Sequence, residues 1–194
     1  MDDGVFLESE RLQLYPVGEQ HATERYLGWL HNVEVNRYLE VGRFPQTLDK
    51  LKAYIKYQQE AGSLFLAIHV KTDGTQIGNI KTDSAHIGNI KVDSFTGIHQ
   101  RAEFGIMIGE QNAWGKGYAV EAGSMVIEHC FRRLGLEKIT LGVVAEHESA
   151  VKLYRDKLRF KREGLLKRHL FTNGKLRDVI RMATFKEQWL TLTD

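Results

Sequence analysis

The sequence predicts an α+β protein whose strands and helices wind on one mostly antiparallel sheet. Along its 194 residues the apolar spacing switches repeatedly between the twofold repeat of strands and the 3.6-residue repeat of helices. No Pro/Gly/Ser-rich linker interrupts the chain. At 42% hydrophobic and 27% charged, this length supports one sizeable core, so residues 1–194 are expected to form one domain.

The elements follow in order. Arg11 to Val17 alternates apolar and polar residues through Leu12, Leu14 and Pro16, as a first strand would. From His21 to Leu39, Tyr26, Leu27, Trp29, Leu30, Val33, Val35, Tyr38 and Leu39 are spaced for one or two short helices. Thr47 to Gln59 reads as a helix capped by Thr47, covered on one side by Leu51, Tyr54, Ile55 and Tyr57 and ended by Gly62. Leu64 to Val70 is a β run, and Asp73-Gly74 a hairpin turn signal. Arg101 to Ile108 predicts a strand with Ala102, Phe104, Ile106 and Ile108 on one face and Glu103, Gly105 and Met107 on the other. A helix from Lys116 to Leu134 stops at Gly135. Then come a strand at Lys138 to Ala145, a helix at Ser149 to Leu158, and two strands around Asn173-Gly174.

Charge and cysteine content exclude several functions. With 27 Lys plus Arg against 25 Asp plus Glu, the net charge of +2 provides no field to attract nucleic acid. The single cysteine, Cys130, cannot form an internal disulfide and sits in a core-like helical pattern, which argues against a nucleophile and for a reducing compartment. The start, Met1-Asp2-Asp3-Gly4, lacks a basic stretch leading into an apolar one, and no run of about 18 apolar residues appears. A cytoplasmic protein without membrane contact is expected. The eight histidines show no H-E-x-x-H or Cys-His ligand spacing, so no metal site is expected.

The most informative stretch runs from Phe104 to Ala122, a strand, a glycine-containing turn and a helix. Such a turn leaves the first N–H groups of the helix unpaired at the positive end of its dipole, where they can hold an anion. Gly115 and Gly117 would let a phosphate approach the backbone, although two glycines alone equally suit a plain tight turn. A P-loop or dinucleotide fingerprint does not fit: G-x-x-x-x-G-K-S/T is missing, and Gly123 falls six residues after Gly117.

Asn112-Ala113-Trp114-Gly115-Lys116-Gly117-Tyr118-Ala119 resembles the coenzyme-A pyrophosphate loop of the GNAT acetyltransferase superfamily, Q/R-x-x-G-x-G/A. Ser149-Ala150-Val151-Lys152-Leu153-Tyr154 resembles the family's following S/A-x-x-L-Y helix, and the combined likeness covers most of residues 8 to 186. It implies a twisted sheet flanked by helices on both faces, acetyl-CoA as co-substrate, and no metal. Asn112 stands where the family has Gln or Arg, and His147 where many members have Asn. After Tyr154 the usual Y-x-K-x-G-F is one residue longer, with Arg159 in place of glycine.

The resemblance also implies the chemistry. Residues 112 to 118 would hold the pyrophosphate, His147 would lie near the coenzyme, and the backbone of Ile106, Met107 and Ile108 would pair with the pantetheine arm. An attacking amine must lose a proton and the departing thiolate must gain one. Tyr154 would donate to the thiolate, and Glu103 would drain the amine's proton through water; a solvated strand carboxylate is the equal alternative for Glu103. The local basic run of Lys157, Arg159, Lys161, Arg162, Lys167 and Arg168 is either a solvated face or a contact for coenzyme phosphates or an acidic acceptor. The expected acceptor is a small amine, such as a nucleotide-linked amino sugar. A ribosomal protein's N-terminal amine is the runner-up, a non-catalytic acyl-CoA-binding module the alternative of another class, and a homodimer stays open.

One feature lies outside this pattern. Ile77-Gly78-Asn79-Ile80-Lys81 recurs ten residues later as Ile87-Gly88-Asn89-Ile90-Lys91. The second copy has the family's spacing to Ala102, which makes the first a surplus unit; two copies are too few for a solenoid.

Overall fold

The computed structural model describes residues 4–71 and 84–191. The predicted turn at Asp73-Gly74 and the first repeat copy lie outside the described residues. The strands among these residues are β1 (Leu7–Glu8), β2 (Leu12–Pro16), β3 (Leu64–Lys71), β4 (Ser84–Thr96), β5 (Arg101–Ile108), β6 (Lys138–Val144), β7 (Lys161–Thr172) and β8 (Lys175–Phe185). They form one sheet in the order β1-β2-β3-β4-β5-β6-β8-β7, antiparallel except where β5 meets β6.

The helices are α1 (Glu24–His31), α2 (Val33–Asn36), α3 (Leu48–Glu60), α4 (Tyr118–Arg132), α5 (Glu148–Lys152) and α6 (Lys186–Leu190). They cover both faces because each side of the sheet carries its own apolar set. On one face Tyr26, Trp29 and Leu30 of α1 and Leu51 and Ile55 of α3 pack with Val17, Phe65 and Ala67. On the other, Val126, Ile127, Cys130 and Phe131 of α4 pack over Leu12, Leu14, Leu66, Ile68 and Phe104. Cys130 is fully buried, and burial pushes its thiol up to about 12, consistent with a packing residue.

Most boundaries follow from the residues named above. The Thr47 hydroxyl accepts from Lys50 N–H at the start of α3, and Gly62 ends it at φ +69°. The buried stripe of α3 is Leu51, Ile55 and Gln58; Tyr54 and Tyr57 are exposed, because the helix is rotated from the expected facing. The helix expected from Lys116 begins at Tyr118, since Gly117 holds a left-handed conformation outside it. The helix expected from Ser149 to Leu158 is α5 followed by a π-helical turn, Leu153–Lys157. That turn absorbs the extra residue after Tyr154, and Arg159 then takes φ +58° where the family has glycine.

The second repeat copy lies wholly within β4, between β3 and β5. Deleting Ile77 to His86 would therefore put Gln76 in place of His86, a paired residue of β4. Deleting Thr75 to Ser84 removes ten residues, keeps Ala85 and His86 in their pairing, and puts Gly74 in place of Ser84 opposite Lys71 at the start of β4. The shortened chain is expected to fold with equal or higher denaturation midpoint and unchanged acetyl-CoA affinity, since ordering ten residues costs roughly 10 to 20 kcal/mol of backbone entropy before compensating contacts. Urea unfolding and calorimetry check this. Loss of folding would show that the first copy is integral to the sheet.

Candidate active site

The site begins where β5 and β6 part. Their parallel pairing covers only Arg101 with Lys138, Ala102 with Ile139, and Glu103 with Thr140. Beyond Glu103 the strands diverge, and the β6-facing edge of Ile106, Met107 and Ile108 is without a strand partner. Next to this opening is a cleft of about 460 Å³ reached by Phe104, Gly105, Ile106 and Met107 from β5, Gly142 from β6, and Tyr154. Glycine stands at 142 on this wall, where a Cβ would press against Arg181 Nη1 at 3.1 Å and Val179 Cγ1 at 3.2 Å.

The loop leaving β5 turns through a 3₁₀ segment, Gln111–Ala113, and Trp114 Nε1 donates to the Ile108 carbonyl at 2.8 Å. Gly115 and Gly117 follow at φ +74° and +82°, conformations that disfavour a side chain. Gly117 is the N-cap of α4, and no side chain caps that end. The first N–H groups of a 15-residue helix thus face outward beside exposed Asn112, Trp114, Gly115 and Lys116, while Ala113 anchors the loop in the core. Glu121 in the first turn would oppose an anion, but Arg11 answers it: Nε donates to Oε2 at 2.7 Å and Ser9 Oγ to Oε1 at 2.6 Å. Arg11 Nη1 also donates to the Lys116 carbonyl at 3.0 Å, and its guanidinium lies 4.9 Å from the Tyr118 ring centre. Arg11 braces the loop from the β1–β2 turn, more than a hundred residues away, so no local sequence signal could have found it.

Tyr154 stands in the π-helical turn, buried, with its ring edge-on to Phe104 (6.3 Å) and Phe160 (5.8 Å). Burial pushes its hydroxyl up to about 12, so it keeps its proton through neutral and alkaline pH. Glu103 lies where β5 and β6 separate, on the face of β5 opposite Phe104, and its Oε1 accepts from Arg181 Nη1 at 2.8 Å. It does not line the cleft with Tyr154. His147 is the N-cap of α5; its ring stacks on Tyr38 at 4.4 Å, and burial lowers its pKa. Tyr38 in turn donates to the Glu146 carbonyl at 3.4 Å, and Thr172 and Asn173 both donate to the Arg37 carbonyl. These bonds tie the segment after α2 to the β6–α5 loop and to the β7–β8 hairpin.

The far side of the cleft is built from Tyr26 and Leu30 of α1, Leu51 and Tyr54 of α3, and Asn89 and Lys91 of β4, with Glu40, Gln46 and Lys50 on its lining. Lys91 Nζ lies 2.5 Å from Asp93 Oδ2 and donates to Tyr54 Oη at 3.3 Å. The basic run noted in the sequence does not converge on this cleft. Arg159, Lys161 and Arg162 instead line a larger hollow of about 970 Å³ between the π-helical turn and α6, with neither Tyr154 nor the glycine turn in its wall. His99 is exposed in the β4–β5 turn, at the opposite end of β5 from that loop. Among the described residues no group of three or more His, Cys, Asp or Glu is arranged to hold a metal ion, and no helix is long and apolar enough to cross a membrane.

Comparison with known proteins agrees with this geometry. The acetyltransferase (GNAT) domain family matches residues 11–161. Spermidine N(1)-acetyltransferase of Escherichia coli (strain K12) is 42% identical over 93 residues, 48% of this chain and 49% of that protein, so the match spans about half of the relative's length. An uncharacterized N-acetyltransferase of Bacillus subtilis (strain 168), YoaA, is 30% identical over 171 residues, 87% of this chain and 89% of the relative. The structure of Vibrio cholerae spermidine N-acetyltransferase in complex with CoA and spermine has the same fold, with a TM-score of 0.78 over 94% of this chain and 99% of that one at 24% identity. An uncapped helix behind a double-glycine turn, a parallel strand pair that opens beside it, and a family match over residues 11–161 place this chain in the GNAT acetyltransferase family.

Proposed function

We propose that this protein is an acetyl-CoA-dependent N-acetyltransferase that moves the acetyl group to a small primary amine by direct attack on the thioester. The observation that carries this reading is the opening between β5 and β6, flanked by the uncapped start of α4 at one end and by Tyr154 along its side. The N–H groups after Gly117 would bind the coenzyme's pyrophosphate, with residues 112 to 118 shaping the approach and Lys116 adding charge. The free edge of Ile106, Met107 and Ile108 would pair with the pantetheine amides as with another strand, and His147 would border the coenzyme on the β6 side. Tyr154, protonated, would donate to the leaving sulfur. Glu103, held by Arg181 on the face of β5 that also carries Gly105 and Met107, would receive the amine's proton through water.

The acceptor side favours an amine on a hydroxylated or anionic carrier, such as a nucleotide-linked amino sugar. Among the lining residues Glu40 is the sole carboxylate and lies beside Arg43; Lys50 and Lys91 add positive charge, and Gln46, Tyr54 and Asn89 offer neutral hydrogen-bonding groups. A polyamine carries several ammonium groups, and each buried one needs a carboxylate partner. The second reading, a polyamine acceptor, is supported by the relatives that bear that name. Thiol release from acetyl-CoA with a uridine-diphosphate-linked amino sugar, spermidine and an N-terminal peptide separates these readings. The amino sugar is expected to show the highest kcat/KM. Preference for spermidine or for the peptide would overturn this acceptor class, and coenzyme binding without transfer to any amine would point to a non-catalytic module.

A further inference from the structure

The second repeat copy contains an irregularity that bears on the acceptor. Along β3 and β4 the register runs Ile68 to Gly88 and then His69 to His86, so Ile87 is an extra residue, a β-bulge. Two features hold the bulge in place. Gly88 lies so close to β5 that a Cβ would come 2.2 Å from the Met107 carbonyl, and the Ile87 carbonyl accepts from both Gly109 and Glu110 N–H. A bulge re-aims the side chains on either side of it. Ile87 and Ile90 therefore both enter the core beneath α4, while His86 and Asn89, three residues apart, share the face that carries the cleft.

On that face His86 Nε2 lies 3.0 Å from the Gly88 carbonyl and 3.0 Å from Asn89 Oδ1. A carbonyl only accepts, so Nε2 carries the hydrogen, and the same N–H fixes the Asn89 amide with its oxygen toward His86. His86 packs against Trp29 (4.9 Å) and His69 (5.1 Å), with Tyr26 and His21 beyond; Arg25, paired with Glu110, lies over the Trp29 ring. Burial lowers the His86 pKa to about 3, so the imidazole stays neutral. Asn89 is 4% exposed and lines the cleft opposite Met107, and its Nδ2 has no hydrogen-bond partner in the protein. A buried donor kept oriented but unanswered, on a residue that lines the cleft, is costly to fold and calls for a ligand atom to answer it.

We infer that Asn89, oriented by His86 across the bulge at Ile87, donates through Nδ2 to an oxygen of the acceptor molecule and so selects oxygen-bearing amines. This rests on the acetyltransferase reading above and deepens it. Asn89 is then a specificity residue, and His86 a positioning residue that acts through it.

The test compares glucosamine 6-phosphate with 1,6-diaminohexane, an amine without oxygen. In Asn89→Leu, which is similar in shape, the ratio of kcat/KM for the sugar over the diamine is expected to fall roughly tenfold, the effect of one lost hydrogen bond. The denaturation midpoint should hold or rise, because an unanswered donor has been removed. His86→Phe should move the same ratio in the same direction, and the double variant should be no worse than Asn89→Leu alone. An equal fall for both amines, an unchanged ratio, or additive losses would overturn the inference. Wild-type transfer to the diamine alone, or to neither amine, would also overturn it; calorimetric binding of acetyl-CoA then shows whether the acetyltransferase reading survives.

Discussion

Gly117→Trp should abolish acetyl-CoA binding while leaving the protein folded. Gly117 sits at φ +82°, and its Cβ position lies 3.5 Å from Arg11 Nη2, so a side chain there projects at the mouth of the helix. A non-glycine residue in the left-handed region costs about 1–2 kcal/mol, which a core spanning both faces of the sheet can absorb. An indole over the first N–H groups of α4 would deny the coenzyme at least two charge-assisted hydrogen bonds, worth roughly 3 kcal/mol or more together, or about a hundredfold or more in Kd. Calorimetry gives the affinity, and circular dichroism the fold. A folded variant with wild-type affinity would show that the coenzyme's phosphates lie elsewhere.

Tyr154→Phe is expected to lower kcat roughly a hundredfold and to leave acetyl-CoA affinity unchanged, because it removes one proton donor and almost no packing. The ring stays wedged against Phe104 and Phe160, so the denaturation midpoint should barely move. With its hydroxyl pushed up to about 12, wild-type Tyr154 remains protonated above neutrality, and the rate should not fall on the alkaline side for want of this proton. A wild-type kcat with the best amine acceptor would make Tyr154 a structural residue.

The local parts of this site were legible in the residues. Gly115 and Gly117 announce a turn because positive φ is a property of the residue itself, and Thr47 and Gly62 mark the ends of α3 for equally local reasons. The faces of β5 followed from twofold alternation, with Ala102 and Phe104 buried together and Met107 packed on the other side. What escaped depends on distant residues or on a broken period. Arg11 and Arg181 join Glu121 and Glu103 across the fold, and neither pairing leaves a trace in local spacing. The bulge at Ile87 breaks the strand period at one residue, and a repeat that invites comparison between its two copies hides that break. The extra residue after Tyr154 was visible as a length difference. Its solution, a π-helical turn with Arg159 in a left-handed conformation, required packing of Leu158 and Phe160 into the core.

Backbone hydrogen exchange with and without CoA tests the central claim most directly, because it reports every amide of the proposed site at once. CoA should slow exchange at residues 106 to 108 and at residues 117 to 119. The basic hollow between the π-helical turn and α6 should be unaffected. Protection confined to that hollow, with the β5 edge and the start of α4 unchanged, would contradict the account.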